Sequence, residues 1–138
     1  MHFVVNEYSI TFSLIKKYGL YGSTIFAKHK TIIMKNDFIH QVYFWLKDPT
    51  SISDRDKLVA GLVKLSGVKT IKDFHIGIPA DTNRPVIDSS YAVSSLLIFA
   101  NGADQASYQT DPMHLEFIAN CKELWSKVIV YDTESAIA

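Results

Sequence analysis

Nine residues, Phe38 to Leu46, constrain the chain most. Side chains of an extended segment alternate between its two sides. Phe38, His40, Val42, Phe44 and Leu46 therefore share one side, and Ile39, Gln41, Tyr43 and Trp45 share the other. Both sides are largely apolar. A strand of this kind belongs in the interior of a sheet with both faces covered. Any fold for the chain must bring something to each side of it.

The elements that follow supply the first cover. Asp48-Pro49 ends the strand. Ser53 is a helix N-cap, with Asp56 three residues on, and Leu58, Val59, Leu62, Val63 and Leu65 form a helical stripe that Gly67 closes. Thr70 to Ile78 reads as a second strand with Phe74, Ile76 and Ile78 on one face, stopped by Pro79. Residues 80–90 form a polar loop around Arg84-Pro85, long for a hairpin and of the kind that serves binding. A third strand runs from Tyr91 to Ala100. After Asn101-Gly102 comes a short helix, Ala103 to Gln109. Asp111-Pro112 then opens another, an N-cap carboxylate before a proline in the first turn, with Leu115, Ile118, Cys121 and Trp125 on one side. Lys127 to Asp132 is the last strand. The order βαββαβ defines an α+β fold, the ferredoxin-like plait, with one antiparallel sheet and its helices on one face.

That arrangement leaves Ile39, Tyr43 and Trp45 on an uncovered sheet face. A patch of this size marks an interface, and two-fold pairing is the commonest way to bury it. A homodimer is the expectation, the two sheets closing into a dimeric α+β barrel.

The 138 residues suit one domain of ordinary size. The 14 basic and 14 acidic residues cancel, which gives no reason to expect nucleic acid as a partner. No run approaches the roughly 18 apolar residues of a membrane span. One cysteine excludes an intrachain disulfide framework and a Cys-rich zinc site. A cytoplasmic protein is expected. No G-x-G-x-x-G, G-x4-G-K or G-x-S-x-G occurs, so nucleotide-dependent and serine-hydrolase chemistry have no support. No cofactor and no metal are expected.

Residues 1–33 differ from the rest. They carry Lys16, Lys17, Lys28 and Lys30 against Glu7 alone, show no clear period and lack the order of a secretory signal. Two readings stand: a flexible or loosely docked extension, or a start that really lies at Met34, with the domain spanning residues 34–138.

Three segments together resemble the stress-responsive A/B barrel family, also called Dabb, of the dimeric α+β barrel superfamily. They are Ile39-His40-Gln41-Val42-Tyr43-Phe44, Tyr108-Gln109-Thr110-Asp111-Pro112-Met113-His114 and Val128-Ile129-Val130-Tyr131-Asp132. The resemblance covers about residues 37–134. It implies a plait that pairs into a barrel. Most bacterial members have no assigned reaction, while a few plant members cyclise polyketides with a tyrosine and a histidine in a pocket between sheet and helices. Tyr108 and His114 match that pair, and His40 matches a histidine of the pocket wall. Cofactor-independent monooxygenases, isomerases and haem enzymes share the wider fold, so the fold does not choose the chemistry.

Each candidate has two readings. His114, at the third position of its helix, is either a general acid/base or a packing residue bonded where helix meets sheet. Tyr108 either holds a substrate oxygen by hydrogen bond or fills space. His40, a polar group on an apolar strand face, needs a partner and is either a pocket residue or a buried structural histidine. Phe38, Val42, Phe44 and Trp125 would line an apolar ligand site, with Arg84 at its mouth for an anionic group or simply solvated. His75 has the opposite parity and is read as structural, and Cys121 as a small buried hydrophobe. The functional expectation is a small cofactor-independent enzyme or binding protein for an apolar carbonyl compound. The alternatives are a non-enzymatic stress or structural dimer and a monooxygenase-like protein. A cleft of roughly 300 Å³ or more beside His40 and His114 favours the first, and a core filled at normal packing density there favours the second.

Overall fold

The computed structural model describes residues 36–137. The two readings of residues 1–33 lie outside the described residues. Four strands, β1 (Phe38–Leu46), β2 (Ile71–Gly77), β3 (Val93–Phe99) and β4 (Trp125–Thr133), form one sheet in the order β2-β3-β1-β4 with every pairing antiparallel. Three helices, α1 (Ile52–Leu65), α2 (Gly102–Gln109) and α3 (Pro112–Cys121), complete the βαββαβ plait, the second crossover being split between α2 and α3.

The split follows from local chemistry. Asn101 caps α2, its side chain accepting from the Asp104 N–H at 2.8 Å. Asp111 caps α3, accepting from the Met113 N–H at 2.8 Å, and Pro112 takes the first turn, where no donor is needed. A proline there disfavours helical backbone at Asp111, so α2 cannot run on into α3.

The helix-facing side of the sheet holds the core. On β1 it is the even residues, His40, Val42, Phe44 and Leu46, that are buried, as the alternation requires. On α1 the buried stripe is Leu58, Leu62 and Leu65, spaced four and three residues apart and so on one side. Leu58 is fully buried, which contributes about 1.5–3 kcal/mol by transfer from water. Val63, placed in that stripe from the sequence, is instead 52% exposed. It stands one residue, about 100°, round from Leu62.

Other boundaries also shift. Ser51, not Ser53, caps α1, its hydroxyl accepting from the Asp54 N–H at 3.2 Å. Leu115 is exposed, whereas Phe117 and Cys121, four apart, face the core. Trp125 lies not on the helix but at the start of β4, because the helix ends at Cys121. Ile78 falls beyond β2, and Phe74 is exposed on that edge strand. A bulge at Lys72 turns that side chain to Asp37, a buried carboxylate 2.8 Å from its Nζ.

α1 and α3 approach closely at Gly61. A Cβ there would stand 2.7 Å from Cys121 Sγ and 3.2 Å from the Phe117 ring. Glycine is required by space, not by backbone angle.

The opposite sheet face carries aromatics that none of α1, α2 and α3 covers. Tyr43 packs edge-on to Tyr91 at 4.9 Å and Tyr131 at 6.1 Å, and Lys127 Nζ lies 4.2 Å above the Trp45 ring. The Trp45 indole N–H donates to Ser90 Oγ at 3.0 Å. These rings rim an open depression of about 440 Å³.

Candidate functional site

Between the sheet and the helices lies a cavity of about 230 Å³. Val42 and Phe44 of β1, Phe117 of α3 and Trp125 of β4 give it apolar walls. Its polar side is concentrated. His40 and Asp132 come from the paired strands β1 and β4, Tyr108 from α2 and His114 from α3. Val128 and Val130 of β4 line it while remaining partly exposed, so its mouth lies along that edge strand.

The histidines are fixed by their Nδ1 atoms. His40 and Asp132 are directly opposed in the β1–β4 register, and His40 Nδ1–H donates to Asp132 Oδ1 at 2.5 Å. A carboxylate oxygen only accepts, so Nδ1 carries the hydrogen. His114 Nδ1–H donates to the Gln109 carbonyl oxygen at 3.0 Å, a bond reaching back across the α2–α3 junction. In each neutral ring the proton therefore sits on Nδ1 and Nε2 keeps its lone pair.

Tyr108 stands between them. Its ring lies 4.5 Å from the His114 ring and 5.9 Å from the His40 ring, with Phe99 behind it at 5.2 Å. Burial pushes its phenol well above the ordinary range. At neutral pH Tyr108 is a hydrogen-bond donor, never a phenolate.

Of the residues singled out from the sequence, His40, His114, Tyr108, Val42, Phe44 and Trp125 converge on this one space. Phe38 does not line it and packs instead beside Gly102 at the start of α2. Arg84 stays exposed in the loop between β2 and β3, away from the lining. Cys121 is buried, and burial pushes its thiol up, as suits an inert core residue. Among the described residues no three His, Cys, Asp or Glu side chains come together to hold a metal.

Sequence reasoning missed two members. Asp132 was placed as the end of the last strand and not as the partner of His40. Ser95 also lines the cavity, buried, with no hydrogen-bond partner for its Oγ among the described residues. The signal for Ser95 was the one that marked His40: a single polar residue at an inward position of an otherwise apolar strand.

The family model for the stress responsive A/B barrel domain matches residues 38–135, and the chain belongs to that family. A protein of Arabidopsis thaliana shares the fold with a TM-score of 0.62 at 24% identity, over 73% of this chain and 97% of its own. A dimeric ferredoxin-like protein of unknown function from Thermobifida fusca gives 0.61 at 14% identity, over 77% and 98%. A hydroxynitrile lyase from Passiflora edulis gives 0.60 at 20% identity, over 72% and 94%. At these identities the likeness speaks for the fold alone. No curated protein matches the sequence. Among the described residues no helix is long and apolar enough to cross a membrane.

Proposed function

We propose that the chain is a cofactor-independent acid/base protein. It takes a small apolar carbonyl compound into the space between sheet and helices, and His114 moves a proton there. The observation that carries this reading is the shared cavity in which His114, held through Nδ1, leaves Nε2 basic beside the neutral phenol of Tyr108. His114 Nε2 accepts a proton from the carbon next to the carbonyl. The electron pair moves to the carbonyl oxygen, and the Tyr108 O–H donates a hydrogen bond to the enolate oxygen as it forms. Return of the proton to the same carbon completes an exchange and return to another enolate carbon an isomerisation; in a cyclisation the enolate carbon bonds to a second carbonyl carbon of the substrate, whose π pair moves to its oxygen, and that oxygen takes the proton from His114. His40, tied to Asp132, holds the ring of Tyr108 from the other side.

Cavity size limits the substrate. About 230 Å³ falls below the range of roughly 300–1,000 Å³ that takes drug-sized ligands. It exceeds the roughly 150 Å³ that admits benzene. One substituted ring, or an open chain of that bulk, is the fitting class. A structural dimer without ligand would instead be packed solid there.

The same reading makes the protein a homodimer that buries the aromatic face around Tyr43 and Trp45. The dimeric relative from Thermobifida fusca supports it. We also propose a cytoplasmic location, in keeping with the free thiol of Cys121.

Acetophenone in D2O tests the chemistry directly, because its methyl protons exchange only through the enolate. Exchange followed by NMR should run about 10²–10⁴ faster with the protein than in buffer. His114→Ala should lose that acceleration while sedimenting as the native protein does. Exchange at the buffer rate, or acceleration that survives the substitution, rejects the assignment.

A further inference from the structure

Ser95 of β3 lines the sheet side of the cavity. In register it lies between Val42 of β1 and Ile76 of β2. The other inward residues of its strand are Val93, Leu97 and Phe99, all buried and apolar. Ser95 is 2% exposed, lines the cavity, and its Oγ has no hydrogen-bond partner among the described residues. A buried hydroxyl is normally bonded, and each exception calls for an explanation. Here a valine or leucine in place of the serine would remove the unsatisfied oxygen and fill part of the cavity as well. The serine at this position therefore does two things: it keeps the floor low and it holds a donor and acceptor beneath whatever enters.

We propose that Ser95 is the specificity-determining residue of the site, its hydroxyl hydrogen-bonding a second oxygen function of the bound carbonyl compound. The inference rests on the acid/base reading above for the position of the first oxygen, at Tyr108 and His114. Ser95 is the diagonal neighbour of His40, which opposes Leu97 two residues on. Diagonal pairs across antiparallel strands stand about 7–8 Å apart. Tyr108 and His114 reach the cavity from the helices and Ser95 from the sheet, so the substrate carries its two oxygens at opposite ends. A serine hydroxyl reorients about χ1 alone, so an arriving hydroxyl or carbonyl is met without backbone movement. A substrate lacking that second oxygen leaves the serine unpaired and is disfavoured.

Binding of acetophenone and of its 2′-, 3′- and 4′-hydroxy isomers, measured by calorimetry, tests this. The native protein should bind the 3′- or 4′-hydroxy isomer on the order of tenfold tighter than acetophenone. In Ser95→Ala that preference should vanish while acetophenone binds at least as well as before. Ser95→Cys, near in size and a weak donor, should fall between. The ligand-free Ser95→Ala protein should melt no lower than the native one. A drop of more than about 4 °C would reveal a lost internal partner and overturn the proposal, as would a preference unchanged by the substitution. If acetophenone binds and depends on His114 but Ser95 makes no difference, the specificity role alone falls. If none of the four compounds binds, the carbonyl reading falls and takes this one with it.

Discussion

His40 and Asp132 face each other across the β1–β4 pairing, and the imidazole Nδ1 meets the carboxylate Oδ1 at 2.5 Å. The bond joins a buried ring to a half-exposed acid at the cavity mouth. It selects the tautomer of His40 and ties the C-terminal strand to the central one through side chains as well as backbone.

Asp132→Ala should therefore cost about 1–2 kcal/mol in urea denaturation, since a buried ring nitrogen loses its partner. Nitrogen NMR of His40 should change from a single Nδ1–H tautomer to a mixture. A variant of native stability with an unchanged His40 signal would show that the pair does nothing.

The burial of Tyr108 gives a pH dependence with a definite sign. Its phenol is raised above the ordinary value of 10.0. The folded state thus holds its proton to higher pH than the unfolded chain does. Its contribution is complete below about pH 10 and is lost as pH rises beyond that, by about 1.4 kcal/mol for each unit until the folded phenol ionises. Tyr108→Phe should flatten that alkaline limb of the stability profile. Parallel profiles for the two proteins would contradict the burial argument.

Gly61 tests the packing of α1 on α3. Gly61→Ala places a methyl 2.7 Å from Cys121 Sγ and should destabilise by about 1–3 kcal/mol, despite the better helix propensity of alanine. Adding Cys121→Ala should recover part of the loss, because the two sites are in contact. Additive effects in the double mutant would mean that the crowding is relieved elsewhere.

The aromatic face tests the assembly. Tyr43→Glu puts a charge among Tyr91 and Tyr131. The native protein should sediment at twice 15.6 kDa and the variant at the single-chain mass. A native monomer at micromolar concentration would refute the dimer.

Strand alternation made much of this legible in the sequence. The inward set His40, Val42 and Phe44 and the outward set Tyr43 and Trp45 follow from parity alone, and the cap at Asp111-Pro112 fixed the start of α3. Positions that depend on distance were less accessible. Apolar identity alone puts Leu115 and Trp125 on the α3 stripe, because it does not say where a helix stops. Phe117 and Cys121 face inward because Gly61 on another element lets α3 come close. The partnership of His40 with Asp132 depends on the register of residues 92 apart. The isolation of the Ser95 hydroxyl depends on what every neighbour leaves empty. Neither is written into a local pattern.

Because the side chains of β1 alternate between two faces, one short stretch of backbone lines both the cavity and the aromatic face. Insertion or deletion of a single residue within Phe38–Leu46 would shift the alternation by one, sending Tyr43 and Trp45 toward the helices or His40 onto the aromatic face. Side chains along this segment can be exchanged one at a time, but its length cannot change without remaking the cavity and the aromatic face together.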